Sequence, residues 1–377
     1  MTENVPFLDL SAQQAEIIDE VLPVWRDQFR AAAFMGGAEV TAFEQEYARY
    51  IGVGHVIGVS NGTDALELAY RAAGVGYGDE VIMPANTFIA TAEAATRIGA
   101  VPVFVDVDDE HLLIDPDAVA DAVTDRTRAI VPVHLFGQTA PVEALAPIAE
   151  RFGIPIIEDA AQSQGAASAA GRAGAMGRIA ATSFYPGKNL GAAGDAGAVM
   201  THDDELARIV RDTAAHGSAV KYVHHRVGFN ARLDAVQATV LRVKLRRLNA
   251  WNAARQEAAA YYGQLLGALD GVRLPVSREG NADVWHLYVV RVAERDRVLA
   301  ELTAEGIGAG IHYPTPVHLT EAYASLRYRR GQFPVAERAA DQILSLPMFP
   351  HLLEEQQERV AGALARAVVR EPVSIGV

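Results

Sequence analysis

The chain has 377 residues, 50% hydrophobic and 21% charged, which is long and apolar enough for two or three domains with real cores and unlike a disordered chain. A formal net charge of -14 argues against nucleic acid or an anionic membrane as the main partner, so an anionic ligand must be held by local positive groups. The absence of cysteine removes disulfides, thiolate metal sites and all thiol chemistry. No metal is expected. Glu3 and Asp9 stand where a leader would be basic and then apolar, and no apolar run nears the roughly 18 residues of a membrane span, so a cytoplasmic protein is the expectation.

Residues 12 to 50 read as two helical stretches joined at Met35-Gly36-Gly37, with Val40, Phe43, Tyr47 and Ile51 at helical spacing. An alternation then begins. Runs rich in β-branched residues at His55–Ser60, Glu80–Met83, Val101–Val105, Ala129–His134 and Ile154–Glu158 are separated by alanine-rich helical stretches at Thr63–Ala73, Thr87–Ile98, Pro116–Val123 and Val142–Phe152. Strand, helix, strand order with near-continuous apolar strands predicts an α/β fold with a mostly parallel sheet covered on both faces. Ligands of such sheets gather at the carboxyl ends of the strands. Ala180–Tyr185 and Ala198–Thr201 are two further strands.

After a polar stretch at 216 to 232, the apolar residues from Leu233 to Leu248 predict one long helix, extending through Trp251 toward Leu266. Val284–Val292, a helix at Arg295–Glu305, Ile307–His312, Ile343–Leu346 and a terminal helix from Leu353 predict a smaller α+β domain. The boundary is placed near 250, giving 1–250 and 251–377.

Between the strands at 180 and 198, Pro186-Gly187 breaks the chain, presents Lys188, and leads into glycines at 191, 194 and 197. A lone lysine in such a loop is ordinarily solvated. Ser60-Asn61-Gly62-Thr63-Asp64 stands at a strand-to-helix junction and is either an N-cap through Thr63 or Asp64 or a phosphate cradle. Glu158 and Asp159 end an apolar strand, and alternation sends them to opposite faces, so one must be satisfied inside. A carboxylate and a lysine at two strand ends suit a protonated pyridine ring carrying an aldehyde, which is pyridoxal phosphate. Ser183 lies on the strand side of Lys188, within reach of that ring's phosphate together with Gly62 and Thr63. Phe88 either belongs to the core or stacks on the ring.

The motifs SNGTDAL (60–66), PANTFIAT (84–91), VPVHLFGQ (131–138), EDAAQSQGA (158–166), SFYPGKNLGAAGDAGA (183–198), GFNARLDAVQA (228–238) and HYPTPVHL (312–319) resemble those of the DegT/StrS-type nucleotide-sugar aminotransferases, over nearly the whole chain and in the same order. The resemblance implies a fold-type I pyridoxal phosphate enzyme. Lys188 is then the Schiff-base lysine, Asp159 the partner of the ring nitrogen, Gln162 a contact on the ring hydroxyl side and Phe88 the stacking ring, while Gly62, Thr63 and Ser183 hold the phosphate. Asn230 reaches the phosphate in a neighbouring subunit, so a homodimer with shared sites is implied. Lys221 and Tyr222, in a stretch with Arg226 and Arg232 and no acid, are read as a grip on a sugar nucleotide, and His312, Tyr313 and Tyr185 as facing the sugar.

The implied reaction is ping-pong transamination with L-glutamate as donor and Lys188 moving the proton. The form SFYPGKNLG with Lys221-Tyr222 resembles enzymes that make 3-amino-3,6-dideoxyhexoses on a dTDP carrier, so a dTDP-3-keto-6-deoxyhexose is the expected acceptor. Amination at C4, amination of a cyclitol ketone, and a non-enzymatic sensor on the same scaffold are the alternatives. Lysine at 188 argues against the dehydratase branch, which carries histidine there. Ala196 stands where the family's motif commonly has glycine, and is read as an added methyl near the cofactor.

Overall fold

The computed structural model of the protein describes residues 4–369. Three helices, α1 (Leu10–Ala15), α2 (Ile18–Ala31) and α3 (Gly37–Ile51), precede the alternation. It then runs β1 (His55–Val59), α4 (Gly62–Ala72), β2 (Glu80–Pro84), α5 (Ala90–Arg97), β3 (Val101–Val105), α6 (Pro116–Ala122), β4 (Thr127–Ile130), α7 (Val142–Phe152) and β5 (Ile157–Asp159). A short hairpin of β6 (Ala167–Ser168) and β7 (Gly171–Arg172) follows, then β8 (Ile179–Ser183), β9 (Gly197–Thr201), α8 (Asp204–Ala214) and α9 (Ala235–Leu245).

The strands pair in the orders β1-β9-β8-β5 and β3-β2-β4. Parallel bridges from Ile130 to Ile156 and from Val133 to Asp159 join the two groups edge to edge. Strand β4 stops short of the expected His134 because Pro132 has no N–H to continue the ladder. Even so, Pro132 O accepts from Asp159 N and His134 N donates to Asp159 O, both at 3.0 Å. Only β9 runs against its neighbours. The carboxyl ends of β1, β2, β5 and β8 therefore meet at one edge, and β9 starts there. This is the α/β arrangement expected from the strand and helix alternation.

The second half comprises α10 (Leu248–Leu266), β10 (Val272–Arg273), β11 (Tyr288–Val292), α11 (Arg295–Ala304), α12 (Pro334–Gln342), β12 (Ile343–Leu346) and α13 (Glu354–Val369), with an antiparallel sheet in the order β10-β11-β12. Ala258, Tyr262, Leu302, Val360 and Leu364 share a core here with Val5 from the N-terminal segment. Arg273, Arg291 and Arg338 converge on the Asp109 carboxylate, tying this half to the loop after β3.

Four expectations are corrected. The single helix from 233 breaks between α9 and α10, where Arg246 and Arg247 both reach Glu20 of α2 at 2.5 Å. Ile307–His312 forms no strand, only bridges from Ile307 to Val5 and from Gly310 to Ser345. Helix α8, capped by the Asp203 side chain, and helix α12, whose first N–H groups go to Asp106, were not expected. Among the described residues, no helix is long and apolar enough to cross a membrane.

Candidate active site

A cavity of about 690 Å³ opens at the shared edge of the sheet. Gly62, Thr63, Phe88, Asp159, Gln162, Ser183, Tyr185, Lys188, His312 and Tyr313 all line it. Lys221, Tyr222 and Asn230 do not. They lie exposed on the segment between α8 and α9, with Lys221 5.0 Å from the Tyr222 ring and Asn230 Oδ1 accepting from Arg232 Nε at 3.1 Å.

Strand β8 delivers Lys188 through a turn closed by Lys188 N donating to Tyr185 O at 2.8 Å. The turn is pinned on both sides. Phe184 is fully buried against the edges of Phe43 and Tyr47, with ring centroids 5.4 and 5.3 Å away. Asn189, also buried, donates to Asn252 Oδ1 and Val284 O at 2.9 Å each, and its Oδ1 lies 3.2 Å from His286 Nδ1. Fixed neighbours on each side limit where the half-buried lysine can point. Ala196 is not at the cavity. Its methyl packs inward with Phe184 and Leu190, which corrects the reading of a group near the cofactor.

The two carboxylates ending β5 are both buried but differ in surroundings. Glu158 turns away from the cavity and accepts from Gly174 N, Met176 N and Gly177 N at 2.8, 2.8 and 2.6 Å, and from His134 Nε2 at 2.7 Å. His134 Nδ1 accepts from Ala140 N at 2.9 Å, so the imidazole proton sits on Nε2 and points at Glu158. Asp159 faces the cavity. Its Oδ2 accepts from Thr91 Oγ1 at 2.8 Å and its Oδ1 from Ala161 N at 3.1 Å, leaving lone pairs free for a further donor.

Burial pushes the Asp159 carboxyl above the usual carboxylate range, while Thr91, Ala161 and the Lys188 charge oppose the shift. Burial brings the Lys188 ammonium down to about 8, with Asp159 pulling the other way. A lysine with that value has a usable fraction of free amine near neutral pH, as a nucleophile or base requires.

The start of α4 is capped by Asn61, whose Oδ1 accepts from Asp64 N at 2.8 Å, rather than by Thr63 or Asp64. Asp64 instead pairs with Arg97 at 3.0 Å. Gly62 and Thr63 thus present the open end of the helix to the cavity beside Ser183. Only glycine fits at 62, because a Cβ there would stand 2.7 Å from Ser183 Cβ.

An aromatic row closes the opposite wall. Phe88 and Tyr313 have ring centroids 5.2 Å apart, and Tyr313 OH accepts from Gln162 Nε2 at 3.0 Å. Gln162 Oε1 accepts from Phe136 N at 2.7 Å, so the whole side chain is held. His312 lies 2.8 Å from Ser345 Oγ through Nδ1, and burial brings its imidazole down to about 4, which keeps it neutral at pH 7. Thr91, Asn189, His286, Arg97, Phe7 and Leu8 also belong to the site or its support and were not singled out from the sequence. For Thr91 a signal existed, since it ends the PANTFIAT run one helical turn beyond Thr87.

These residues fit pyridoxal phosphate: a helix N-terminus with a glycine that leaves no room for a side chain, a hydroxyl beside it, a buried carboxylate with free lone pairs, and a low-pKa lysine. Fold and site together define a fold-type I aminotransferase. The DegT/DnrJ/EryC1/StrS aminotransferase family model matches residues 13–365, and the chain belongs to that family. It is 48% identical to the erythromycin biosynthesis sensory transduction protein EryC1 of Saccharopolyspora erythraea, covering 96% of this chain and 99% of that protein. It is 46% identical to the dTDP-3-amino-3,4,6-trideoxy-alpha-D-glucose transaminase of Streptomyces venezuelae, covering 96% of each. The crystal structure of S. venezuelae DesV in complex with a ketimine intermediate superposes with a TM-score of 0.96 at 45% identity, over 98% of this chain and 100% of that one.

Proposed function

We propose that this aminotransferase moves the amino group of L-glutamate onto a keto-sugar nucleotide, with a dTDP-3-keto-6-deoxyhexose as acceptor and the 3-amino-3,6-dideoxyhexose as product. The observation that carries this reading is the presence of Lys188 and Asp159 on one cavity beside the open start of α4. Bound pyridoxal phosphate supplies an aldehyde carbon and an electron-accepting ring. Asp159, which accepts from Thr91 and the Ala161 N–H, would hold the proton on the ring nitrogen. Lys188, as free amine, would take up and return the proton at the substrate carbon. The Gly62 and Thr63 N–H groups and the Ser183 hydroxyl would hold the phosphate, while Phe88 would pack on the ring and Gln162 would address its hydroxyl edge. Tyr185, His312 and Tyr313 face the sugar.

Homodimerisation is part of this reading. Three carboxylates, Asp64, Asp159 and Asp195, line the cavity against two cations, Lys188 and Arg97. That is a poor balance for a cofactor phosphate and a pyrophosphate together. The exposure of Lys221, Tyr222 and Asn230, away from their own cavity, supports a role for them at the cavity of a second copy. The division at 250 belongs to it as well, since α10 gives Leu248 to one core and Ala258, Tyr262 and Leu266 to the other.

Amination at C3 follows the sequence form SFYPGKNLG and agrees with the product named for the S. venezuelae relative. The sensory name of the S. erythraea relative favours the non-enzymatic alternative. A protein that had lost catalysis has no need of a lysine brought to about 8 beside a buried aspartate. The test converts the cofactor with glutamate and then offers dTDP-3-keto- and dTDP-4-keto-6-deoxyhexoses. Return of the starting absorbance with the 3-keto sugar is expected, and return with the 4-keto sugar alone would overturn the C3 assignment.

A further inference from the structure

The segment before α1 runs along the cavity and is held at both ends. On one side Val5 N donates to Gly306 O at 3.0 Å, Gly308 N donates to Val5 O at 2.8 Å, and Met348 N reaches Phe7 O at 3.4 Å. The fit is close: a Cβ on Gly308 would stand 2.4 Å from Phe7 N. On the other side Asp9 caps α1, and α2 docks on α9 through Trp25 Nε1 to Val236 O at 2.9 Å and Gln28 Nε2 to Ala235 O at 3.1 Å. A strap fixed this way keeps its side chains in place.

Two of those side chains, Phe7 and Leu8, line the cavity. The Phe7 ring stacks on His312 with centroids 5.5 Å apart and planes 16° apart, extending the row through Tyr313 to Phe88. Leu8 lies over the loop that carries the lysine. A methyl group at Gly187 would be 3.2 Å from Leu8 Cδ2 and 3.7 Å from the Tyr185 ring, so Leu8 and Tyr185 bracket the residue next to Lys188. The wall nearest the reacting amine is therefore apolar on the strap side. Apart from Lys188, the cavity's cation is Arg97, and it is committed to Asp64 at 3.0 Å and Glu67 at 2.9 Å. Among the described residues that line the cavity, Arg97 is therefore already paired, and the strap side offers no charge of its own.

We propose that Phe7 and Leu8 are specificity-determining residues, forming the apolar wall that receives the methyl group of a 6-deoxy sugar and disfavours a hydroxymethyl at the same carbon. The inference rests on the keto-sugar reading above and adds which edge of the sugar is read and by which residues. A hydrophobic pocket rejects an added hydroxyl only modestly, by about a hundredfold at most.

The test uses the holoenzyme and follows its two half-reactions separately. Glutamate first converts the cofactor. The aminated enzyme is then given the keto-sugar nucleotide it accepts, as its 6-deoxy and 6-hydroxy forms. The wild type is expected to favour the 6-deoxy form in kcat/KM by about 10- to 100-fold. Leu8→Asn and Phe7→Ala should shrink that ratio to about threefold or less, through a higher KM for the 6-deoxy form, whereas Leu8→Met should keep it. A wild type that aminates sugars without preferring the 6-deoxy form overturns the proposal. So does an unchanged ratio in Leu8→Asn and Phe7→Ala, or a parallel fall in the glutamate half-reaction, which marks a structural role. Should Leu8→Asn fail to fold, Leu8→Ala gives the same reading of the ratio. Amination of no keto-sugar nucleotide, with the glutamate half-reaction intact, overturns the strap together with the keto-sugar reading, and is distinguishable from the other outcomes.

Discussion

Thr91 donates its hydroxyl to Asp159 Oδ2 at 2.8 Å, and Thr87, 2.6 Å behind it, completes a buried chain of two hydroxyls leading to the carboxylate. All three side chains are withdrawn from water. The carboxylate is thus stabilised by hydrogen bonds in a place where burial alone favours its neutral form.

Removing that donor has a definite sign. In Thr91→Val the Asp159 pKa rises further, so the ionised fraction needed to hold a ring proton is lost from a higher pH downward. A hydrogen bond to a charged group is worth about 1.5–3 kcal/mol, so cofactor affinity at neutral pH should fall about tenfold or more. The acid limb of the affinity-versus-pH curve should move to higher pH, and Thr91→Ser should restore both. Titration of the apoenzyme with cofactor across pH, read by visible absorbance, decides it.

The shared-site reading makes a prediction that one chain alone could not satisfy. Lys188→Ala and Asn230→Ala homodimers should each be impaired, since each lacks a group at both sites. A mixed dimer has one site with Lys188 from one chain and Asn230 from the other, both intact. Co-expressed with separate tags and purified on both, the mixed dimer should regain about half the activity of the wild type. Activity no higher than that of the better parent would place Asn230 outside the neighbouring site.

What the sequence could reveal follows how local each signal is. Lys188, Asp159, Gly62 and Ser183 stand in strand-end motifs, where residue type and turn chemistry suffice. Which of Glu158 and Asp159 faces the cavity was legible only through the motif resemblance, because alternation separates two neighbours without saying which way either points. Phe7 and Leu8 reach the cavity only through the pairing of Val5 with Ile307, which no local pattern announces. Helix α12 lacks a local cap because Asp106, 229 and 230 positions away, accepts from Val335 N and Ala336 N. The break at Arg246 hides inside an unbroken apolar period, since ion pairs to Glu20 accompany it rather than a proline or glycine. Lys221 and Tyr222 could be picked out by type and local charge, whereas Asn230 and its assignment to a neighbouring subunit came only through the resemblance.

Lys244 is a second lysine altered by burial, only 1% exposed on α9, and burial brings its ammonium down to about 8. Below that pH both folded and unfolded chains carry the charge, and the folded state bears the full cost of burying it. Between about 8 and 10.5 the folded lysine loses its proton while the unfolded one keeps it, so stability recovers as pH rises. Lys244→Met, of similar length and uncharged, should therefore stabilise the protein at pH 7, by on the order of 1–3 kcal/mol. The gain should shrink through that window and vanish above it. Chemical denaturation of the two proteins at pH 7 and pH 10 measures the difference, and an equal gain at both values would show that burial of charge is not the cause.

Glu158 makes the opposite case, a buried hydrogen-bond acceptor that the fold requires. It gathers the N–H groups of Gly174, Met176 and Gly177 and the imidazole of His134, with none of its surface exposed. Truncation in Glu158→Ala leaves those donors without an acceptor, and each orphaned buried donor costs about 1–3 kcal/mol, so a loss of at least about 3 kcal/mol is expected. Glu158→Gln is not conservative here, because its NH₂ would confront N–H donors instead of accepting from them. Both variants should lose cofactor affinity as well as stability, since Asp159 is the next residue of β5 and its main chain is held between Pro132 and His134. His134→Asn, which removes one donor and leaves the three backbone bonds intact, should cost less. Thermal unfolding and cofactor titration of the same preparations check the order: an affinity unaffected in Glu158→Gln would uncouple the anchored side of β5 from the carboxylate on its cavity side.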